Sequence, residues 1–119
     1  MPVERVMANP VVPEDVGKVA LQRGPVVYCL EQNDNAAPVR QIALPDKAPL
    51  AARFDSKRLG GVVVIEGKAI CYDSKCWKGK ALYQPIDRGR RVPTRIRAIP
   101  YASWNNRGNR AMTVFLPRA

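Results

Sequence analysis

The chain has 119 residues and a formal net charge of +10 at pH 7, from 20 Lys and Arg against 10 Asp and Glu. This length predicts a single domain over residues 1–119 that buries its core without disulfides. No apolar run has the length of a membrane helix, and the N-terminus lacks the basic start and apolar stretch of a signal peptide.

Eleven prolines divide the chain into short segments, which favours strands over long helices. The first half predicts strands at residues 2–8, 19–21, 26–30, 39–44 and 51–54. Residues 22–25 predict a kink between the second and third of these strands. Asn33-Asp34-Asn35 predicts a turn, because Asn and Asp accept left-handed backbone and hydrogen-bond locally.

The second half predicts further strands at residues 62–65, 69–72, 81–86, 93–101 and 112–116. The four β-branched residues at 62–65 indicate a strand covered on both faces. Glu66-Gly67-Lys68 predicts a hairpin turn into the next strand. The strand count and spacing predict an all-β fold, an antiparallel, jelly-roll-like β-sandwich of about eight or nine short strands.

The residues that usually carry catalysis or bind metal are scarce. The chain has no histidine, which excludes Ser-His-Asp and Cys-His systems and His-zinc sites. Cys71 and Cys76 have the wrong spacing for a zinc knuckle or a CxxC redox pair, and Cys29 lies in an apolar strand. The sequence therefore predicts no catalytic, cofactor-binding or metal-binding residue. The odd number of cysteines indicates free thiols and favours a cytoplasmic protein.

The positive charge is concentrated in the second half, where residues 51–119 carry fifteen Lys and Arg against four Asp and Glu. Such a segment is able to bind polyanions, because neutralised phosphates release counterions. The favoured interpretation is a solvated face or a surface against another domain, which argues against nucleic acid as the partner. The candidate patch residues are Lys75, Lys78, Lys80, Arg88, Arg90 and Arg91.

One loop combines aromatic, amide and guanidinium side chains, a mixture that stacks on and hydrogen-bonds sugar rings. The alternative is packing, in which Trp104 closes the end of the sandwich and its neighbours cap backbone groups. Contact with another domain would use the same side chains. The candidate residues are Tyr101, Trp104, Asn106 and Arg107.

Three stretches together resemble one known family: MPVERVMANPVV, GKVALQRGPVVYCLEQNDN and AIPYASWNNRGNRAMTVFLP. They resemble the C-terminal region of family 127 glycoside hydrolases, typified by β-L-arabinofuranosidases and long catalogued as a domain of unknown function. LGGVVVIEG fits the same pattern, so the resemblance spans essentially the whole chain. Its most specific parts are VALQRGPVVYCLE and PYxxWxNRG.

The resemblance implies that catalysis takes place in a separate α/α-barrel domain, on a zinc-bound cysteine nucleophile and a glutamate acid/base. Cys29, Cys71 and Cys76 do not match the family's adjacent cysteine pair, so no catalytic residue carries over. The implied function is a non-catalytic accessory domain whose partner is the barrel of the same enzyme, with homo-oligomer formation as a second expectation and no membrane partner. An apolar docking patch of several hundred Å² is then expected. The alternative is a free-standing carbohydrate- or polyanion-binding module.

Overall fold

The computed structural model describes residues 1–72, 82–83, 91–103 and 111–119, and within these ranges the protein is built from nine strands. The strands are joined by 3₁₀ turns at Pro13–Asp15, Gln32–Asp34, Val39–Gln41 and Tyr101–Ser103. They are β1 (Val3–Val6), β2 (Lys18–Arg23), β3 (Val26–Glu31), β4 (Ile42–Ala43), β5 (Leu50–Asp55), β6 (Val62–Tyr72), β7 (Arg91–Pro100), β8 (Met112–Thr113) and β9 (Leu116–Pro117). The predicted all-β antiparallel fold is confirmed.

All nine strands belong to one curled sheet with the order β1-β2-β3-β7-β6-β4. Three further strands join this path, with β5 beside β6, β8 beside β3 and β9 beside β2. The pairings between these nine strands are antiparallel, and an isolated bridge between Leu44 and Arg118 is parallel. The two ends of the curl meet through Leu44, whose N–H donates to Pro117 O at 2.8 Å and whose C=O accepts from Ala119 N at 3.0 Å. The curl therefore encloses a core.

The larger core cluster fills the inside of the curl, and its fully buried members include Leu30, Ile42, Leu44 and Ile65. A smaller cluster of Cys29, Val64 and Ile99 lies on the opposite face. Because neighbouring residues of a strand point to opposite faces, Val64 and Ile65 both become buried. This confirms that the predicted 62–65 segment is covered on both faces.

The structure has a tight hairpin turn where the sequence predicted a kink at residues 22–25, and Gln22 and Arg23 belong to β2. β2 and β3 are joined by Gly24-Pro25, with Arg23 opposite Val26. Gly24 has a φ of +59°, a left-handed conformation that costs a glycine little, and Gln22 Nε2 donates to Gly24 O at 2.8 Å. Tyr28 and Cys29 are each 2% exposed, so the Tyr-Cys pair belongs to the core, as predicted.

The predicted hairpin turn at residues 66–68 is wrong, because β6 runs without a break from Val62 to Tyr72. Gly67 has another reason to be glycine. A Cβ atom there would lie 2.5 Å from Leu50 Cδ2 and 2.9 Å from the carbonyl oxygen of Pro49, because Leu50, the first residue of β5, is paired with Gly67. The glycine marks a close backbone approach rather than a turn.

The other differences are at segment boundaries. The predicted strand at residues 39–44 begins as the 3₁₀ turn Val39–Gln41 and contributes only the two residues of β4. The predicted closing strand is divided into β8 and β9. The predicted strand at 81–86 lies outside the described residues except for Leu82 and Tyr83, which are exposed and outside any strand.

Asn35 extends the sheet where β3 ends. Its Nδ2 donates to Glu31 O at 2.9 Å and to Arg97 O at 3.1 Å, and its Oδ1 accepts from Arg97 N at 2.9 Å. The side-chain amide therefore satisfies both main-chain groups of Arg97 that point away from β6. Main-chain groups of residues separated by an even number of positions on a strand point in the same direction, so the nitrogen of Pro93, like that of Arg97, points away from β6. Pro93 therefore removes no hydrogen bond between β6 and β7.

Candidate functional site

The predicted sugar-contact loop is described only at its start. Tyr101 opens the 3₁₀ turn after β7 and is 48% exposed. Trp104, Asn106 and Arg107 lie outside the described residues. The sugar-contact hypothesis for this loop therefore stays a prediction.

The predicted polyanion patch is likewise described at one residue. Arg91 begins β7, is exposed, and places its guanidinium carbon 5.9 Å from the centroid of the Tyr72 ring, a cation–π distance. The other five candidates lie outside the described residues: Lys75, Lys78, Lys80, Arg88 and Arg90. Arg91 nevertheless belongs to a larger basic surface that the register of β6 and β7 assembles.

We call this surface the basic face, defined by the outward side chains of Glu66, Lys68, Ile70 and Tyr72 on β6 and Arg91, Pro93, Arg95 and Arg97 on β7. The register places these residues in four opposing pairs. They are Glu66 with Arg97, Lys68 with Arg95, Ile70 with Pro93, and Tyr72 with Arg91. The sequence predicted a strand at residues 93–101, but its pairing with β6 was not predictable.

Glu66 is the acid of the basic face, and two arginines bind it. Its Oε1 accepts from Arg53 Nε at 2.6 Å, and its Oε2 accepts from Arg97 at 2.8 and 3.2 Å. These hydrogen bonds, first from Arg53 and then from Arg97, lower the pKa of Glu66 to about 2. The network continues from Arg53 through Asp55 to Arg58, which also pairs with the buried carboxylate of Asp34.

The lowered pKa of Glu66 predicts a pH dependence. A carboxyl group whose pKa is lower in the folded than in the unfolded state contributes stability above its unfolded value of 4.5. That contribution falls as the pH drops from 4.5 toward 2. Because the Glu66 side chain is 34% exposed, we expect Glu66→Gln to lower the free energy of unfolding by only about 1 kcal/mol at pH 7. Urea unfolding of both proteins should show this difference vanishing near pH 2, and a difference that stays constant with pH would contradict the assignment.

A groove of about 500 Å³ runs beside this network. Its polar lining combines Lys68, Arg95 and Arg97 with the carboxylates of Asp34 and Glu66. Its apolar lining comes from Ala36, Pro49, Gly67 and Ile96. Ala36 and Pro49 are the exposed apolar residues of this lining, since Ile96 is buried in the core, and apolar residues beside cations suit an anionic ligand with exposed carbon atoms.

The two described thiols do not fit a catalytic or metal-binding role. Cys29 lies in the smaller core cluster, and the buried Cys71 Sγ is 3.9 Å from Gln41 Oε1. Across the described ranges, no three His, Cys, Asp or Glu side chains come together as metal ligands. Cys76 lies outside these ranges, so the expected lack of a metal in this chain stays a prediction.

A second surface lies between β1 and β2. We call it the N-terminal apolar surface and define it by four exposed side chains, Met7, Val11, Val12 and Val16, which are 70%, 80%, 38% and 61% exposed. A turn holds the segment, with Val12 N donating to Asn9 O at 2.9 Å and Val11 N to Asn9 Oδ1 at 3.1 Å. Exposed apolar residues concentrated in one ordered segment are typical of an interaction surface.

Among the residues that the structure describes, no helix has the length and apolarity to cross a membrane. The curled antiparallel sheet defines the class of protein as an all-β domain. Residues 3–117 match the glycoside hydrolase family 127 C-terminal domain. The chain belongs to this family, as the sequence resemblance predicted.

Its relatives are much longer enzymes. The chain is 38% identical over 122 residues to a non-reducing end beta-L-arabinofuranosidase of Bifidobacterium longum subsp. longum, covering 99% of this chain and 18% of the relative. It is 47% identical, with a TM-score of 0.92, to a GH127 beta-L-arabinofuranosidase from Geobacillus stearothermophilus T6, covering 100% of this chain and 18% of the other. A second GH127 beta-arabinofuranosidase gives 31% identity and a TM-score of 0.84, covering 100% of this chain and 17% of the other. This chain therefore spans about a fifth of the length of these relatives.

Proposed function

We propose that this domain is the non-catalytic C-terminal part of a β-L-arabinofuranosidase-like glycoside hydrolase, where it packs against the catalytic barrel and supports it. The observation that carries the proposal is the N-terminal apolar surface. In the matched family this domain is C-terminal, so the rest of those enzymes enters the domain at its N-terminal end. Met7, Val11 and Val16 are exposed within the first β-connection of the chain, where an entering domain would cover them.

The surroundings of this surface support docking rather than ligand binding. A groove of about 450 Å³ lies next to Met7, and Arg5, Asp46 and Arg118 form its polar rim. Arg118 Nε donates to Asp46 Oδ1 at 2.8 Å, and Arg5 NH1 donates to Pro45 O at 2.9 Å. These contacts hold the polar side chains of the groove in place beside Met7, so the N-terminal apolar surface borders an ordered polar region, an arrangement typical of interfaces.

The proposal places the chemistry outside this chain. The zinc and the cysteine nucleophile that the family resemblance implies belong to the barrel, and Cys29 and Cys71 are core residues here. Homo-oligomer formation through this domain stays a prediction.

We expect the chain alone to show no turnover of an aryl β-L-arabinofuranoside, because both of its described thiols are buried. The assay compares the wild-type chain with Cys29→Ala. The protein concentration is high enough that turnover only slightly faster than the uncatalysed reaction would be detected. Turnover that Cys29→Ala abolishes would overturn the proposal. Turnover equal in both proteins that persists after repurification from a host lacking such an activity would also overturn the proposal, because the chain would then catalyse the reaction without Cys29.

A further inference from the structure

Two cations face each other directly across the central ladder of the basic face. Lys68 on β6 pairs with Arg95 on β7, and both residues are exposed. Because Arg97 N points to Asn35 and away from β6, the pairs at Arg97 and Arg95 are of the non-hydrogen-bonded type, in which side chains come closest. Like charges at such positions destabilise a sheet, and natural sequences break local rules of this kind chiefly at functional sites.

The carboxylates nearby are already engaged. Glu66 binds Arg53 and Arg97, and Asp34 binds Arg58. Within the described ranges, no carboxylate lies within ion-pair distance of Lys68, Arg91 or Arg95. The pair of cations therefore keeps its charge available to a ligand, and an anion held between the two would relieve their repulsion.

We propose that the groove at Lys68 and Arg95 binds the carboxylate groups of an acidic polysaccharide. Lys68 and Arg95 hold one carboxylate between them, and the exposed Ala36 and Pro49 of the groove lining contact the carbon face of the sugar ring. Side chains two residues apart on a strand are separated by roughly 7 Å, so Arg91 lies about 13 Å from Arg95 along β7. The cations form a row, which suits an extended chain with repeated charges better than a single small anion.

The choice of a saccharide over a nucleic acid follows from the aromatic side chains. Single-stranded nucleic acids are bound by several aromatic platforms on which bases stack. The described part of the basic face carries one aromatic residue, Tyr72, and its ring already contacts the Arg91 guanidinium. The preference for a sugar acid as the source of the carboxylate rests on the proposed function, in which the domain belongs to a carbohydrate-degrading enzyme.

Affinity electrophoresis of the whole chain tests the proposal, with polygalacturonate, a neutral arabinan or single-stranded DNA cast in the gel. The variants are Lys68→Gln/Arg95→Gln and the charge-matched control Arg40→Gln/Lys47→Gln, which removes two exposed cations away from the basic face. We expect polygalacturonate to retard the wild type and the control, and to bind the Lys68/Arg95 variant about tenfold or more weakly. The thermal midpoint of that variant should equal or exceed the wild-type value, since a like-charge pair has been removed.

Three outcomes would overturn the proposal: no retardation of the wild type by polygalacturonate, equal weakening in both double variants, or stronger retardation by single-stranded DNA. Equal weakening would mean that net charge alone attracts the polymer. These outcomes are separate from a failure of the proposed function, because docking is tested at Val11 and Val16, which lie outside the basic face.

Discussion

Replacing Asn35 by Ala is expected to lower the free energy of unfolding by about 2–4 kcal/mol, which corresponds to a fall of roughly 10 °C in Tm. Asn35 is 6% exposed, and its amide satisfies the carbonyl of Glu31 and both main-chain groups of Arg97. The substitution leaves these three groups without their partner at a site too enclosed for water to replace it freely. Unpaired buried groups of this kind cost more than the net value of the hydrogen bonds they lose.

The matched control is Asn9→Ala, because Asn9 also bonds a main-chain N–H but is exposed. We expect it to change stability by less than 1 kcal/mol. Asn35→Asp should fall close to Asn35→Ala, since a carboxylate accepts from Arg97 N but cannot donate to the two carbonyls. Urea unfolding followed by circular dichroism measures all three proteins. A loss below 1 kcal/mol for Asn35→Ala would show that Asn35 does not extend the sheet.

The local pattern of residues predicted most of the fold. Short β-branched runs and frequent prolines predicted the strands, and the buried positions of Tyr28 and Cys29 followed from their place in an apolar run. The wrong prediction at Gly67 has a specific cause. A glycine between Glu66 and Lys68 resembles a turn when only neighbours in sequence are considered, and the close approach of Pro49 and Leu50 is a contact between distant segments.

The surfaces could be predicted less completely than the strands, because they are formed by residues that are distant in the sequence. The number of Lys and Arg residues in the second half could be read from the sequence. Whether Lys68 faces Arg95, however, depends on the register of β6 and β7, which are separated by 18 residues of chain. The same applies to Glu66, whose two arginine partners come from different strands. The sequence analysis expected an apolar docking patch but could not say which residues form it. A valine in the sequence gives no sign of whether it is exposed or buried in the fold.

The second large effect is expected at the N-terminal apolar surface. In a chimera, this chain replaces the matching C-terminal segment of the Geobacillus stearothermophilus relative, to which it is 47% identical with a TM-score of 0.92. Val11→Asp/Val16→Asp would then place two carboxylates in the interface with the catalytic part. Burying an unpaired charge is costly, so we expect the half-time of heat inactivation to shorten about tenfold or more. In the isolated chain the same substitutions should leave Tm nearly unchanged, because both valines are exposed.

The control chimera carries Arg40→Gln/Lys47→Gln, which changes the net charge by the same amount at exposed positions elsewhere. It should inactivate at the rate of the unmodified chimera. Equal inactivation of the control and of Val11→Asp/Val16→Asp would mean that the docking surface lies elsewhere on the domain.

The most direct test of the accessory role is heat inactivation of aryl β-L-arabinofuranoside turnover in three forms of the Geobacillus stearothermophilus relative. They are the intact enzyme, the enzyme without its matching C-terminal segment, and the chimera carrying this chain. A supporting domain predicts that the shortened enzyme is insoluble or inactivates far sooner, and that the chimera recovers most of the activity and heat resistance of the intact enzyme. A shortened enzyme as active and heat-resistant as the intact one would contradict it.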